Sequence, residues 1–177
     1  IEGVLHDRSG KKLLQYPQGK PGINYYLEDS VEEIGHRAFS CAMNLQTLTF
    51  TSALKKIGDN AFEYCSNLEN LMLPGSVEII GDRAFQYCCQ LRSAMLSRMI
   101  REIGDCAFYH CTSLETISVP KSVEKIGNLA FAHCEKLRRV VMQDNVSFIG
   151  DGAFVGCQDL EIAVKNNPYV ETYCRTH

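Results

Sequence analysis

No apolar run in this sequence extends beyond a few residues, so no segment is long enough to cross a bilayer as a helix. Neither sign of charge dominates. Eighteen lysines and arginines stand against 21 aspartates and glutamates, a net charge of −3, which gives no electrostatic reason to expect nucleic acid or an anionic membrane as partner. The sequence lacks a phosphate-cradling G-x-x-x-x-G-K stretch and a G-x-S-x-G elbow. Nine cysteines are present, but no two are spaced as C-x-x-C, so they do not form a zinc signature. The opening Ile1-Glu2-Gly3 has neither the basic nor the apolar region of a signal peptide. Because the chain opens without methionine, an upstream segment is expected to have been trimmed, together with any targeting information it carried.

What the sequence does contain is a period. Ile-Gly recurs at Ile34, Ile57, Ile80, Ile103, Ile126 and Ile149, every 23 residues. Phe39, Phe62, Phe85, Phe108, Phe131 and Phe154 keep the same step, as do Leu45, Leu68, Leu91, Leu114, Leu137 and Leu160. An aliphatic column runs Val31, Leu54, Val77, Ile100, Val123 and Val146, and a cysteine column runs Cys65, Cys88, Cys111, Cys134 and Cys157. Such a period marks a solenoid, because a unit this short cannot bury its apolar face without stacking on its neighbours.

Within each unit, Leu68, Leu71 and Leu73 set out the L-x-x-L-x-L of a leucine-rich-repeat strand, whose inward positions alternate with a period of two. The glycine of Ile-Gly is expected to supply a tight bend. The Asp59, Asp82, Asp105, Asn128 and Asp151 that follow are expected to cap a short helix, with Ala, Phe and Cys turned inward. The fold expected is a right-handed solenoid of six 23-residue repeats, with one parallel concave sheet and short convex helices. An N-terminal β-hairpin cap occupies 1–22, the solenoid 23–164, and a C-terminal cap or tail 165–177. Leucine, phenylalanine and small-residue ladders make up its core.

The unit Ile-Gly-Asp/Asn-x-Ala-Phe-x-x-Cys-x-x-Leu, followed by the apolar strand, closely resembles the BspA-like, or Treponema pallidum type, class of leucine-rich repeats over about residues 23–164. The opening stretch resembles that family's hairpin cap, with Gly10 in the turn and Tyr16-Pro17 closing it. Local departures are Ala42 in the cysteine place with Cys41 one position early, His36 in place of the cap aspartate, and Ala94 and Ala163 in the strand column. The resemblance implies a bacterial or protozoan surface or secreted protein that binds host or matrix proteins. It does not name the partner.

The column cysteines read as buried thiols, since parallel stacked side chains have the wrong Cβ geometry for disulfides. Cys89, Cys106 and Cys174 are the expected reactive thiols. A free-thiol core also suits a reducing cytoplasm. His110-Cys111 and His133-Cys134 invite a metal or a Cys–His nucleophile, but each cysteine should point inward and its preceding histidine outward. Asn145-Val146-Ser147 is a sequon whose central residue belongs to a core column. We therefore expect no catalytic, cofactor or metal site, and read the chain as a non-enzymatic interaction module.

The sheet face is the candidate site. Its outward columns, Tyr26, Thr49, Met72, Met95, Ser118, Val141 and Asn24, Thr47, Asn70, Ser93, Thr116, Arg139, are nearly uncharged, with two methionines side by side. Exposed, adaptable methionines suit a protein-binding patch. The other reading is that small β-forming residues merely suit a crowded face. Tyr26, Thr49, Met72, Met95, Arg92, Arg139 and Val141 are the candidate contacts, for a protein or glycoconjugate. The alternative function is a structural spacer that displays another domain.

Overall fold

The computed structural model describes residues 3–176, so the first two residues expected in the cap, Ile1 and Glu2, and His177 of the tail lie outside the described residues. The chain opens with β1 (Leu5–His6) and β2 (Lys12–Gln15). Long and short strands then alternate: β3 (Asn24–Tyr26), β4 (Glu33–Ile34), β5 (Thr47–Thr49), β6 (Lys56–Ile57), β7 (Asn70–Met72) and β8 (Ile79–Ile80). The alternation continues through β9 (Ser93–Met95), β10 (Glu102–Ile103), β11 (Thr116–Val119), β12 (Lys125–Ile126), β13 (Arg139–Met142), β14 (Phe148–Ile149) and β15 (Glu161–Val164). A single α-helix among the described residues, α1 (Pro168–Thr176), ends the chain.

The molecule is a solenoid of stacked parallel strands whose core runs unbroken through its turns. Each turn contributes to two sheets rather than one. Long strands form the ladder β15-β13-β11-β9-β7 and the separate pair β3-β5. Short strands form an eight-stranded sheet, β1-β2-β4-β6-β8-β10-β12-β14. The Ile-Gly segment, expected to be a bend, is thus a second strand: Ile57 and Ile103 point in, Lys56 and Glu102 out. Two residues are too few for a period to show in sequence. The glycine is needed for a different reason than a bend. A Cβ at Gly81 would lie 2.7 Å from Asp59 N and 2.8 Å from the Gly58 carbonyl carbon, and at Gly104 2.7 Å from the Gly81 carbonyl carbon. Real Cβ atoms do not approach backbone so closely. The column admits only glycine because successive turns touch there backbone to backbone.

The expected convex helices do not form; those segments are tight turns. Each holds two residues in the left-handed region, such as Asn60 and Tyr64 (φ 55° and 60°) or Cys106 and His110 (55° and 56°), and a helix cannot continue through such residues. Their amides divide between two acceptors. Cys65 N–H closes back on Phe62 O at 3.0 Å, while Phe62 N–H donates forward to Ala84 O at 2.7 Å and Tyr64 N–H to Gln86 O at 2.9 Å. The backbone is thereby satisfied between turns, as buried amides require, and no helical ladder is left to cap. The aspartates consequently do a different task from the one expected. The Asp59 carboxylate accepts the Asp82 N–H at 3.1 Å, Asp82 that of Asp105 at 2.9 Å, Asp105 that of Asn128 at 2.8 Å, and Asn128 Oδ1 that of Asp151 at 2.9 Å. They tie each turn to the next.

The core is a set of ladders. Tyr16 from β2's end stacks on Phe39 at 4.9 Å between ring centroids, and Phe39, Phe62, Phe85, Phe108, Phe131 and Phe154 follow at 4.9–5.4 Å. Ring pairs at this separation add dispersion and quadrupole terms to their area burial. At the far end the stack slips by one residue: Val140 pairs with Ile162 and Met142 with Val164, so Ile162 and not Ala163 continues the inward column. Helix α1 closes that end. The Asn167 side chain accepts the Tyr169 and Val170 amides and donates to Asp144 O and Val146 O, and the Tyr169 hydroxyl accepts the Ile149 N–H left free at the edge of β14. On the outer face of the short-strand sheet, Glu32 is gripped by Lys11 (2.7 Å) and Lys55 (2.8 Å), which hold its carboxyl down to about 2.

Candidate partner-binding face

Alternation along β7 and β9 turns Leu71 inward and leaves Met72 and Met95 outward, 66% and 62% exposed and directly paired in register. That exposure is unusual for methionine. Both line a groove of about 960 Å³ that also takes in Ser93 and Thr116 from the strands and Arg98, Lys121 and Ser122 from the turns that follow them. The strand side is uncharged, with the Ser93 hydroxyl donating to Asn70 Oδ1 at 2.8 Å.

The other candidate residues are distributed around this groove. Tyr26 (72% exposed) and Thr49 face each other in the β3–β5 pair, which hydrogen-bonds as a ladder separate from β7–β15. Arg139, exposed, and Val141, half-buried, lie on β13 beyond the groove, with Arg139 opposite Glu161. Arg92 is exposed just ahead of β9. Of the seven, therefore, the groove brings together Met72 and Met95. Arg98 and Lys121 are groove residues that the strand pattern does not reveal, because they lie three positions past the outward methionine column. Their 23-residue spacing, on the turn after a strand, is the signal that could have found them.

The turn side of the molecule carries a second ordered surface. Tyr64, Tyr87, His110 and His133 stack ring on ring at 4.7, 5.1 and 4.8 Å. The imidazoles lie in this outer stack, while Cys111 and Cys134 turn into the core and donate their thiols to Phe85 O and Phe108 O at 3.2 Å each. No shared Cys–His centre forms. Among the described residues no group of three or more His, Cys, Asp or Glu side chains is placed to hold a metal ion, and no helix is long and apolar enough to cross a membrane.

All nine cysteines are free thiols. Burial pushes Cys65 up to about 12 and Cys157 to about 11, and raises Cys88, Cys111 and Cys134 as well. Cys174 is exposed, and Cys41, Cys89 and Cys106 are half-buried. Cys41 was not among the expected reactive positions. It is displaced outward because Ala42 occupies the core place in that turn.

The BspA type leucine rich repeat region matches residues 32–161 in six copies. Among solved structures, a leucine-rich-repeat protein of T. pallidum superposes with a TM-score of 0.79 at 29% identity, over 93% of this chain and 78% of that one. One from Bacteroides ovatus ATCC 8483 gives 0.71 at 26% identity, over 90% of this chain and 49% of that one. A leucine rich cell surface protein from Faecalibacterium prausnitzii A2-165 gives 0.71 at 26% identity, over 97% of this chain and 40% of that one. The chain thus spans half or less of the length of the last two. Comparison with curated protein sequences gave no match.

Proposed function

The chain belongs to the BspA-type leucine-rich-repeat family, a non-enzymatic scaffold generally used for protein interaction, and from that premise we propose that it binds a protein partner on the outward face of its long strands, as part of a surface-displayed adhesion or recognition protein. The observation that carries this reading is the exposed Met72–Met95 pair, midway along the run of long strands from β3 to β15, on a face whose strand charges, Arg139 and Glu161, lie away on β13 and β15. Two large, flexible apolar side chains kept in water gain free energy when a partner covers them, and interface energy concentrates in such central, desolvatable positions. Surface display draws on the F. prausnitzii relative, which is described as a cell surface protein.

The test is binding to a panel of purified matrix and serum proteins, measured by surface plasmon resonance. A panel member should bind wild type and lose at least about tenfold in affinity with Met72→Glu/Met95→Glu, about 1.4 kcal/mol or more, at an almost unchanged melting temperature. Tyr87→Glu/His110→Glu, on the opposite surface, should bind normally. Exchange of these two outcomes would move the site to the turn side. Absence of any binder that depends on the methionines would favour the spacer reading.

A further inference from the structure

The groove beside the methionines is electrostatically one-sided. Arg98 and Lys121, on successive turns, both line it, and no aspartate or glutamate does. Neither cationic side chain has an ion-pair or hydrogen-bond partner among the described residues, and both are exposed. Elsewhere cations and carboxylates share columns. On the short-strand sheet Lys11, Glu32 and Lys55 bridge in series, as do Lys12, Glu33 and Lys56. At the opposite ends of the long strands the column Glu69, Arg92, Glu115, Arg138, Glu161 alternates in sign. Among the described residues Arg98 and Lys121 stack on successive turns without a carboxylate between them, and Asp144, which follows in the same column, does not line the groove. Ser122 lines the groove beside Lys121. Its hydroxyl is shielded and unpartnered, whereas Ser76, two turns earlier in the same column, donates to Leu54 O at 2.6 Å.

Resting on the interaction reading above, we propose that the groove takes an extended acidic peptide segment whose side chains alternate between apolar and carboxylate. The geometry of an extended chain supplies the pattern. Successive side chains point to opposite sides, so a segment lying along the groove turns one set toward Met72 and Met95 and the other toward Arg98 and Lys121. The apolar set removes the methionines from water. The acidic set meets two cations that have no internal partner to give up, so their pairing with the peptide costs no existing ion pair. Charge complementarity of this kind sets selectivity and association rate more than total affinity, and it discriminates against basic segments by repulsion.

The experiment is selection of a random linear-peptide display library on wild type, followed by synthesis of the consensus peptide and fluorescence polarisation. The expected consensus alternates Asp or Glu with aliphatic or aromatic residues. Its affinity should fall about tenfold or more with Arg98→Glu/Lys121→Glu and weaken as salt rises. A peptide with its acids changed to Lys should recover binding to that variant and not to wild type. This variant alters exposed, unpaired side chains, and circular dichroism should show it folded. A consensus that needs Met72 and Met95 but is neutral or basic, or that shows no charge-swap recovery, would overturn this inference and leave the interaction reading standing. Selected peptides indifferent to both pairs of residues would overturn the two together. Heparin binding that needs Arg98 and Lys121 but not the methionines would assign the groove to a sulfated glycan and overturn the peptide.

Discussion

The thiol of Cys111 donates to the carbonyl oxygen of Phe85, 3.2 Å away in the preceding turn. Cys65, Cys88, Cys134 and Cys157 make the same bond to Phe39, Phe62, Phe108 and Phe131. Cysteine recurs because a thiol is small enough for this position and still offers a weak donor to a carbonyl that water cannot reach.

Reactivity should therefore divide along the same line. Under native alkylation followed by mass spectrometry, Cys174 should label fastest, Cys41, Cys89 and Cys106 more slowly, and Cys65, Cys88, Cys111 and Cys134 only after unfolding. Rapid labelling of Cys111 in the folded protein would contradict the buried bond.

The same thiols predict alkaline behaviour. Cys65 has its ordinary value of 9.0 in the unfolded chain and about 12 when folded, because burial disfavours its thiolate. The folded form binds the proton more tightly, so stability is fully present below pH 9 and is lost as pH rises toward 12. Denaturant unfolding across this range should show a declining limb, and Cys65→Ala should make that decline shallower.

The phenylalanine ladder is continuous, and Phe108 stacks at 5.3 Å on both Phe85 and Phe131. Phe108→Ala opens a cavity that rigid stacked turns cannot collapse into. Chemical denaturation should report a loss of about 3–5 kcal/mol. A loss well under 1 kcal/mol would mean that the ladder carries little of the stability.

Gly104→Ala would place a Cβ 2.7 Å from the Gly81 carbonyl carbon and 2.8 Å from Asp82 N. Separating two turns to relieve this should cost about 1–3 kcal/mol or more and lower the melting temperature. Gly75→Ala, where a Cβ meets nothing within 4 Å, should be neutral or slightly stabilising. Equal effects at the two sites would remove close stacking as the reason for the Ile-Gly column.

The repeat period alone determined the solenoid, its parallel stacking and the membership of its core, because residues 23 apart must meet if each unit is to bury its apolar face. Phe85 and Cys111 were legible as inward residues from the repeat columns, and Leu71 as inward with Met72 and Met95 as outward from strand alternation. Only the tertiary structure decided what the short segments become. The strand at Lys56–Ile57 exists through bonds to its neighbours in space, and two residues carry no period of their own. The turn at Asn60–Tyr64 replaces a helix because its amides reach acceptors one turn ahead, a contact absent from any local stretch of sequence. Arg98 and Lys121 joined the methionine face for the same reason. They flank it across a turn whose path depends on stacking, and strand alternation, which ends at Met95, could not place them there.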